Sequence, residues 1–191
     1  RYVTGDVNAA IRGALAAGVE EIWVNENHSG KDLLVDEIDR RAQVLTGKPK
    51  PLQTLEGLTE SFDAVFLVGI HARAGTEGAV LDHTWSTKCV QEVRVNGKPI
   101  GELGLNALLA GYFGVPVALV TGDDAVAREA EDLLGKVECA VVKFGLDRYS
   151  ARCLHPDAAW ETIEKGAESA LKRLSEMRPF SMKSPLRMEI D

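Results

Sequence analysis

Val65-Phe66-Leu67-Val68-Gly69-Ile70-His71-Ala72-Arg73-Ala74-Gly75 reads as a buried strand that ends in a loop. The apolar run is short and closes on glycine, as a central strand of an α/β sheet does. Binding sites in such sheets lie just beyond the carboxyl ends of the strands. His71 therefore occupies a position suited to chemistry. Three polar segments are expected to gather around it: Asn25-Glu26-Asn27-His28-Ser29-Gly30, Asp82-His83-Thr84 and Gly101-Glu102-Leu103-Gly104-Leu105-Asn106.

Upstream of this stretch, Val7, Ala10, Ile11, Ala14 and Leu15 fall at helical spacing between Thr4, a candidate N-cap, and Gly18, a candidate stop. Glu21 to Asn25 reads as a strand. Leu33 to Leu45 fits either a short helix or a polar excursion, and Thr59 to Phe62 fits a helical turn. Downstream, Gln91 to Val95 and Lys98 to Ile100 flank Asn96-Gly97, a strong hairpin signal because both turn positions need positive φ. Leu103 to Phe113 is an apolar helix with small residues. Val117 to Val120 and Val137 to Val142 are strands, with a helix capped by Asp123-Asp124 between them. Pro156 opens a long helix reaching about Met177, and Leu186 to Ile190 suits a last strand. The alternation of strands and helices predicts an α/β fold. It is a single three-layer-like domain over residues 1–191, with a mixed, mostly parallel sheet flanked by helices, plus a β-hairpin.

The chain has 191 residues, 45% hydrophobic and 27% charged, as an ordinary globular domain does. A net charge of −7 argues against a nucleic-acid or anionic-membrane partner, and no apolar run approaches a membrane span. Cys89, Cys139 and Cys153 are odd in number and lack a C-x-x-C, so reduced thiols and a cytoplasmic location are expected.

Three of the four histidines, His28, His71 and His83, fall in expected loops beside glycine or small polar residues. Singly, each suits a structural or exposed role. Together they suit a metal centre, because imidazole is a common zinc ligand and a carboxylate such as Glu102 completes hydrolytic sites. From its position alone Glu102 better suits a helix start favoured by the dipole. No H-E-x-x-H or other compact ligand pair is present. Cys89 has no partner that would make it a nucleophile, and His155 precedes the Pro156 helix as a terminus residue.

At Val24-Asn25-Glu26-Asn27-His28-Ser29, Gly69-Ile70-His71-Ala72-Arg73-Ala74, Asp82-His83-Thr84 and Gly101-Glu102-Leu103-Gly104-Leu105-Asn106-Ala107 the chain resembles the DppA-type D-aminopeptidases, dinuclear zinc enzymes of peptidase family M55. Gly111-Tyr112, Val115-Pro116-Val117 and Gly122-Asp123-Asp124 continue the resemblance in order. It implies that His28, His71 and Glu102 are metal ligands and that His83 is the catalytic histidine. It also implies two zinc ions, short peptide substrates with an N-terminal D-amino acid, and a ring-built homodecamer. Arg73 is a candidate for holding a substrate carboxylate or a ligand loop. Asn25 and Asn106 are candidates for orienting ligands from behind. The family's remaining ligands form a D-x-E pair on a strand before the first helix, and nothing in Arg1 to Asn8 matches it. The expectation is half a metal site, with an open strand edge beside Glu21–Asn25 or Ala64–Val68. Two rival readings are another metal-dependent amidohydrolase on this scaffold and a non-catalytic homologue.

Overall fold

The computed structural model describes residues 1–27 and 31–191. Helix α1 runs over Tyr2–Ala16, and β1 (Ile22–Asn25) follows it. Thr4 lies inside α1 rather than capping it. It is buried, and its hydroxyl accepts a hydrogen bond from the Leu34 N–H at 3.0 Å, so tertiary contact takes the oxygen that a cap would have used. The ambiguous stretch after the first loop holds a short 3-10 turn at Val35–Glu37 and a strand, β2 (Ala42–Leu45), parallel to β1. A helical turn falls at Gln53–Leu55 rather than at 59–62.

The larger sheet has the order β3-β6-β7-β8. Strands β3 (Val65–Leu67), β6 (Val117–Asp123) and β7 (Glu138–Asp147) are parallel, and β8 (Ser150–Cys153) returns antiparallel to β7. All seven residues of β6 are buried, as a central strand covered on both faces requires. Helices α2 (Glu102–Tyr112), α3 (Asp124–Leu134) and α4 (Pro156–Lys172) complete the layers. The expected hairpin is present as β4 (Val93–Val95) and β5 (Lys98–Pro99), with φ 52° at Asn96 and 76° at Gly97. Strand β9 (Met188–Ile190) adds to its other edge through β4. This is the mixed, mostly parallel α/β architecture that the sequence predicts.

Two apolar clusters lie on α1. Ala9 and Ala10 pack with Leu119, Ala140, Ile163 and Ala167 on the larger sheet and α4. Ile11, with Val7 and Leu15 beside it, packs on β1 and β2. Strands β1 and β3 each stand at the end of their own sheet, and among the described residues no ladder pairs their outer edges.

Candidate metal centre and active site

The exit of β3 is stitched to β6. The Gly69 N–H donates to the Thr121 hydroxyl at 2.8 Å and the Ile70 N–H to the Thr121 carbonyl at 3.0 Å. Gly122 is required at this crossing, because a Cβ there would lie 2.4 Å from the Ile70 carbonyl oxygen. The chain then leaves the sheet edge at His71 and travels through a loop that returns at His83.

Acidic side chains hold that loop from below. Asp82, buried, accepts from the Gly75 N–H at 2.7 Å and from the Arg148 guanidinium at 2.8 Å. Asp123 accepts from the Val80 N–H at 2.6 Å while capping α3 through the Val126 N–H at 2.8 Å. The buried Thr84 hydroxyl accepts from the Ala74 N–H at 3.3 Å. Glu129 of α3 accepts from the Arg73 N–H at 2.8 Å, and burial pushes its carboxyl up from the ordinary value despite that bond. Glu129 also abuts Gly101, where an added Cβ would be 3.0 Å from its Oε1. One carboxylate therefore sets the spacing between the His71 loop and the start of α2, where Glu102 stands.

His71, His83 and Glu102 meet at this point, with one ligand atom from each within 4.8 Å of the others. Glu102 Oε1 lies 3.6 Å from His71 Nε2 and 3.9 Å from His83 Nε2, and it accepts the Trp85 N–H at 2.8 Å. The two imidazoles stack with centroids 3.6 Å apart and planes 18° from parallel. Each ring donates from Nδ1 to a backbone carbonyl: His71 to Ala72 at 3.1 Å, His83 to Leu81 at 2.6 Å. Those bonds fix the tautomer, so that both Nε2 atoms carry their lone pairs toward Glu102. The His71 nitrogen and the Glu102 oxygen at this separation fit zinc, and the His83 nitrogen stands beside them within reach of a group bound there. Leu81 and Trp85, with φ 52° and 57°, bracket His83 in left-handed backbone that bulky residues rarely adopt. Such strain concentrates where a side chain must be aimed.

The remaining candidates are placed differently. His28 lies outside the described residues. Asn25 is occupied elsewhere: its Nδ2 donates to the carbonyls of Gln53, Thr54 and Glu56, and its Oδ1 accepts from the buried Lys50 ammonium. Its amide ties β1 to the 53–56 turn, and among the described residues no bond joins it to His71, His83 or Glu102. Arg73 holds the ligand loop through its backbone N–H; its guanidinium makes a 3.4 Å contact with the neighbouring Ala74 carbonyl. Asn106 lines a cleft beside Glu102. His155 caps α4, accepting from the Asp157 N–H at 3.3 Å. The three cysteines are free, and burial pushes the Cys139 thiol up to about 12. Sequence reasoning missed Glu129 and Asp82, since a carboxylate in a helix or loop carries no mark of the distant N–H that it accepts.

The chain matches the D-aminopeptidase family, peptidase family M55, along residues 1–191. It belongs to that family. It is 37% identical over 180 residues to a D-aminopeptidase of Bacillus subtilis (strain 168), a match covering 94% of this chain and 65% of the relative. It superposes with a TM-score of 0.95 and 33% identity on the Zn-dependent D-aminopeptidase DppA from Bacillus subtilis, a self-compartmentalizing protease, covering 98% of this chain and 68% of that one. The chain thus spans about two thirds of the length of the relatives that it matches.

Proposed function

We propose that this M55 family member is a zinc-dependent aminopeptidase that hydrolyses short peptides with an N-terminal D-amino acid. The observation that carries the reading is the pairing of two Nδ1-anchored imidazoles whose Nε2 atoms converge on Glu102. His71 and Glu102 would hold zinc, with His28 as a further ligand. Zinc bound there supplies an acidified water and a polarised carbonyl.

His83 performs the proton work. Its Nδ1–H stays on the Leu81 carbonyl. Its Nε2 takes the proton of the attacking water and returns it to the leaving amine, acting first as general base and then as general acid. The Trp85 N–H on Glu102 holds the carboxylate still while charge moves beside it. The D-aminopeptidase activity of the relatives supports this reading, and the self-compartmentalizing relative supports a homo-oligomer, with a decamer as the specific form. A single catalytic domain and a cytoplasmic location complete the proposal. No described helix is long and apolar enough to cross a membrane.

The test compares His71→Ala and His83→Ala for bound zinc and for turnover of D-alanyl-p-nitroanilide. His71→Ala loses both. His83→Ala loses turnover and keeps its zinc. Equal zinc loss in the two variants would make His83 a ligand, and hydrolysis of other amides without any D-aminoacyl amide would favour the amidohydrolase alternative.

A further inference from the structure

A cleft of about 530 Å³ opens beside Glu102 and runs along one face of α2. Glu102, Leu105 and Leu109 line it. At 1.5 Å per residue, the cleft extends about 10 Å from the cluster along the helix. Leu52, Trp85 and Met188 also line it, and among its described lining residues Glu102 is the only charged one. Apart from Glu102 the described lining is uncharged, with Gln53, Thr54 and Asn106 set among the apolar residues.

Two observations show that the cleft is built for an occupant. Asn27 lines it, and the Asn27 Oδ1 is buried without a hydrogen-bond partner. A buried acceptor left unpaired is costly, so an N–H brought by a ligand would be strongly favoured there. Trp85, half exposed, holds a strained φ of 57° that its N–H bond to Glu102 maintains. The strain turns that residue into the cleft wall immediately after the His83 segment.

We infer that this cleft is the subsite for the first residue of the peptide. Asn27 Oδ1 accepts a hydrogen bond from the α-ammonium, and Leu105, Leu109 and Trp85 receive an uncharged apolar side chain. The inference rests on the aminopeptidase reading and extends it to specificity: D-leucyl and D-phenylalanyl substrates are preferred to D-glutamyl and D-lysyl ones. An apolar wall discriminates weakly between methylenes but rejects a charge that it would have to desolvate.

The experiment measures kcat/KM of the zinc-loaded protein on p-nitroanilides of D-alanine, D-leucine, D-lysine and D-glutamate. It is repeated with Leu109→Asp and Trp85→Ala. The wild-type protein is expected to favour D-leucyl over D-glutamyl by about 10-fold or more. Leu109→Asp should lower the D-leucyl to D-lysyl ratio by about 10-fold, and Trp85→Ala, at a half-exposed position that the fold tolerates, should lower D-leucyl turnover relative to D-alanyl. Asn27→Leu should raise KM more than it lowers kcat, since the hydrogen bond it removes is to an α-ammonium bound alike in the ground and transition states. Ratios equal to wild type in both wall variants would overturn the subsite. A wild-type protein that turns over none of the four anilides would instead overturn the aminopeptidase reading. Calorimetric binding of free D-leucine separates the two, because it needs the subsite and no turnover.

Discussion

Gly101→Ala is the substitution that most directly tests how the site is spaced. Gly101 has φ −101° and ψ −173°, which alanine adopts freely, so the backbone itself raises no objection. Space does. The new Cβ would lie 2.6 Å from the Arg73 Cβ and 2.9 Å from the Arg73 Cα. Carbon atoms settle at about 3.5–4.0 Å, so the His71 loop and the head of α2 must part by roughly 1 Å. Overpacking of this kind costs about 1–3 kcal/mol of stability. Its effect on chemistry is larger, because ligand distances to zinc hold within about 0.2 Å and a misplacement of about 1 Å in a catalytic site can cost about 100-fold. The expected variant is therefore folded, with its melting temperature only a few degrees lower, and with zinc content and kcat/KM on D-alanyl-p-nitroanilide both sharply reduced. The assay is metal analysis of the purified protein beside steady-state kinetics. Wild-type zinc and wild-type kcat/KM in Gly101→Ala would refute the claim that contact at Arg73 sets the distance between His71 and Glu102.

Glu129→Ala should cost about 1–3 kcal/mol by orphaning the Arg73 N–H, and it should lower zinc affinity. Glu129→Gln keeps an acceptor, removes a charge whose pKa burial has raised, and should restore zinc binding; isothermal zinc titration of both variants checks the pair, and equal losses would refute it. Asp39 is held down to about 2, chiefly by the Arg41 side chain, with the Arg41 backbone N–H next. A depressed carboxylate contributes stability above its unfolded value of 3.8, and that contribution disappears as pH falls toward about 2. The urea midpoints of wild type and Asp39→Asn should therefore converge over that window, and a gap constant from pH 5 to pH 2 would exclude the pair as a source of acid lability.

Local signals carried most of the architecture. Asn96-Gly97, the Pro156 helix start and the apolar runs of β3 and β6 each announce their own conformation, and the structure agrees with them. Strands β2 and β8 were harder to see. Ala42–Leu45 has four residues beside the charged Asp39-Arg40-Arg41, and it becomes a strand because β1 offers a parallel edge. Ser150–Cys153 carries an arginine and a serine among four residues and pairs only because β7 continues beyond the sheet. Thr4 shows the same limit, since its hydroxyl answers an N–H thirty residues away. At the site, the histidines and Glu102 were legible as chemistry-bearing residues after strands. Their tautomers, their stacking and the Glu129 strut depend on backbone groups that no side-chain pattern encodes.

The packing of α1 against both sheets divides the labour of the cleft. Asn27 follows β1 and rides on the smaller sheet, whereas His71 follows β3 and Glu102 opens the helix packed above the larger one. No described backbone ladder joins β1 to β3, so they are coupled through the packing of α1 and through the Asn25 bonds to the 53–56 turn, whose Leu55 lies in the core with Val65 and Leu67. The smaller sheet can breathe at the cost of the Ile11 contacts, the Asn25 bonds to the 53–56 turn and the Trp23–Phe62 contact, leaving the β3–β6 ladder intact, in the manner of a separate exchange unit. Capture of a ligand and the making of its reactive geometry are thus carried by different rafts. Changes on the Ile11 face of α1 will tune how the door moves, while changes on the Ala9–Ala10 face will reach the hinge-post on which the chemistry is mounted.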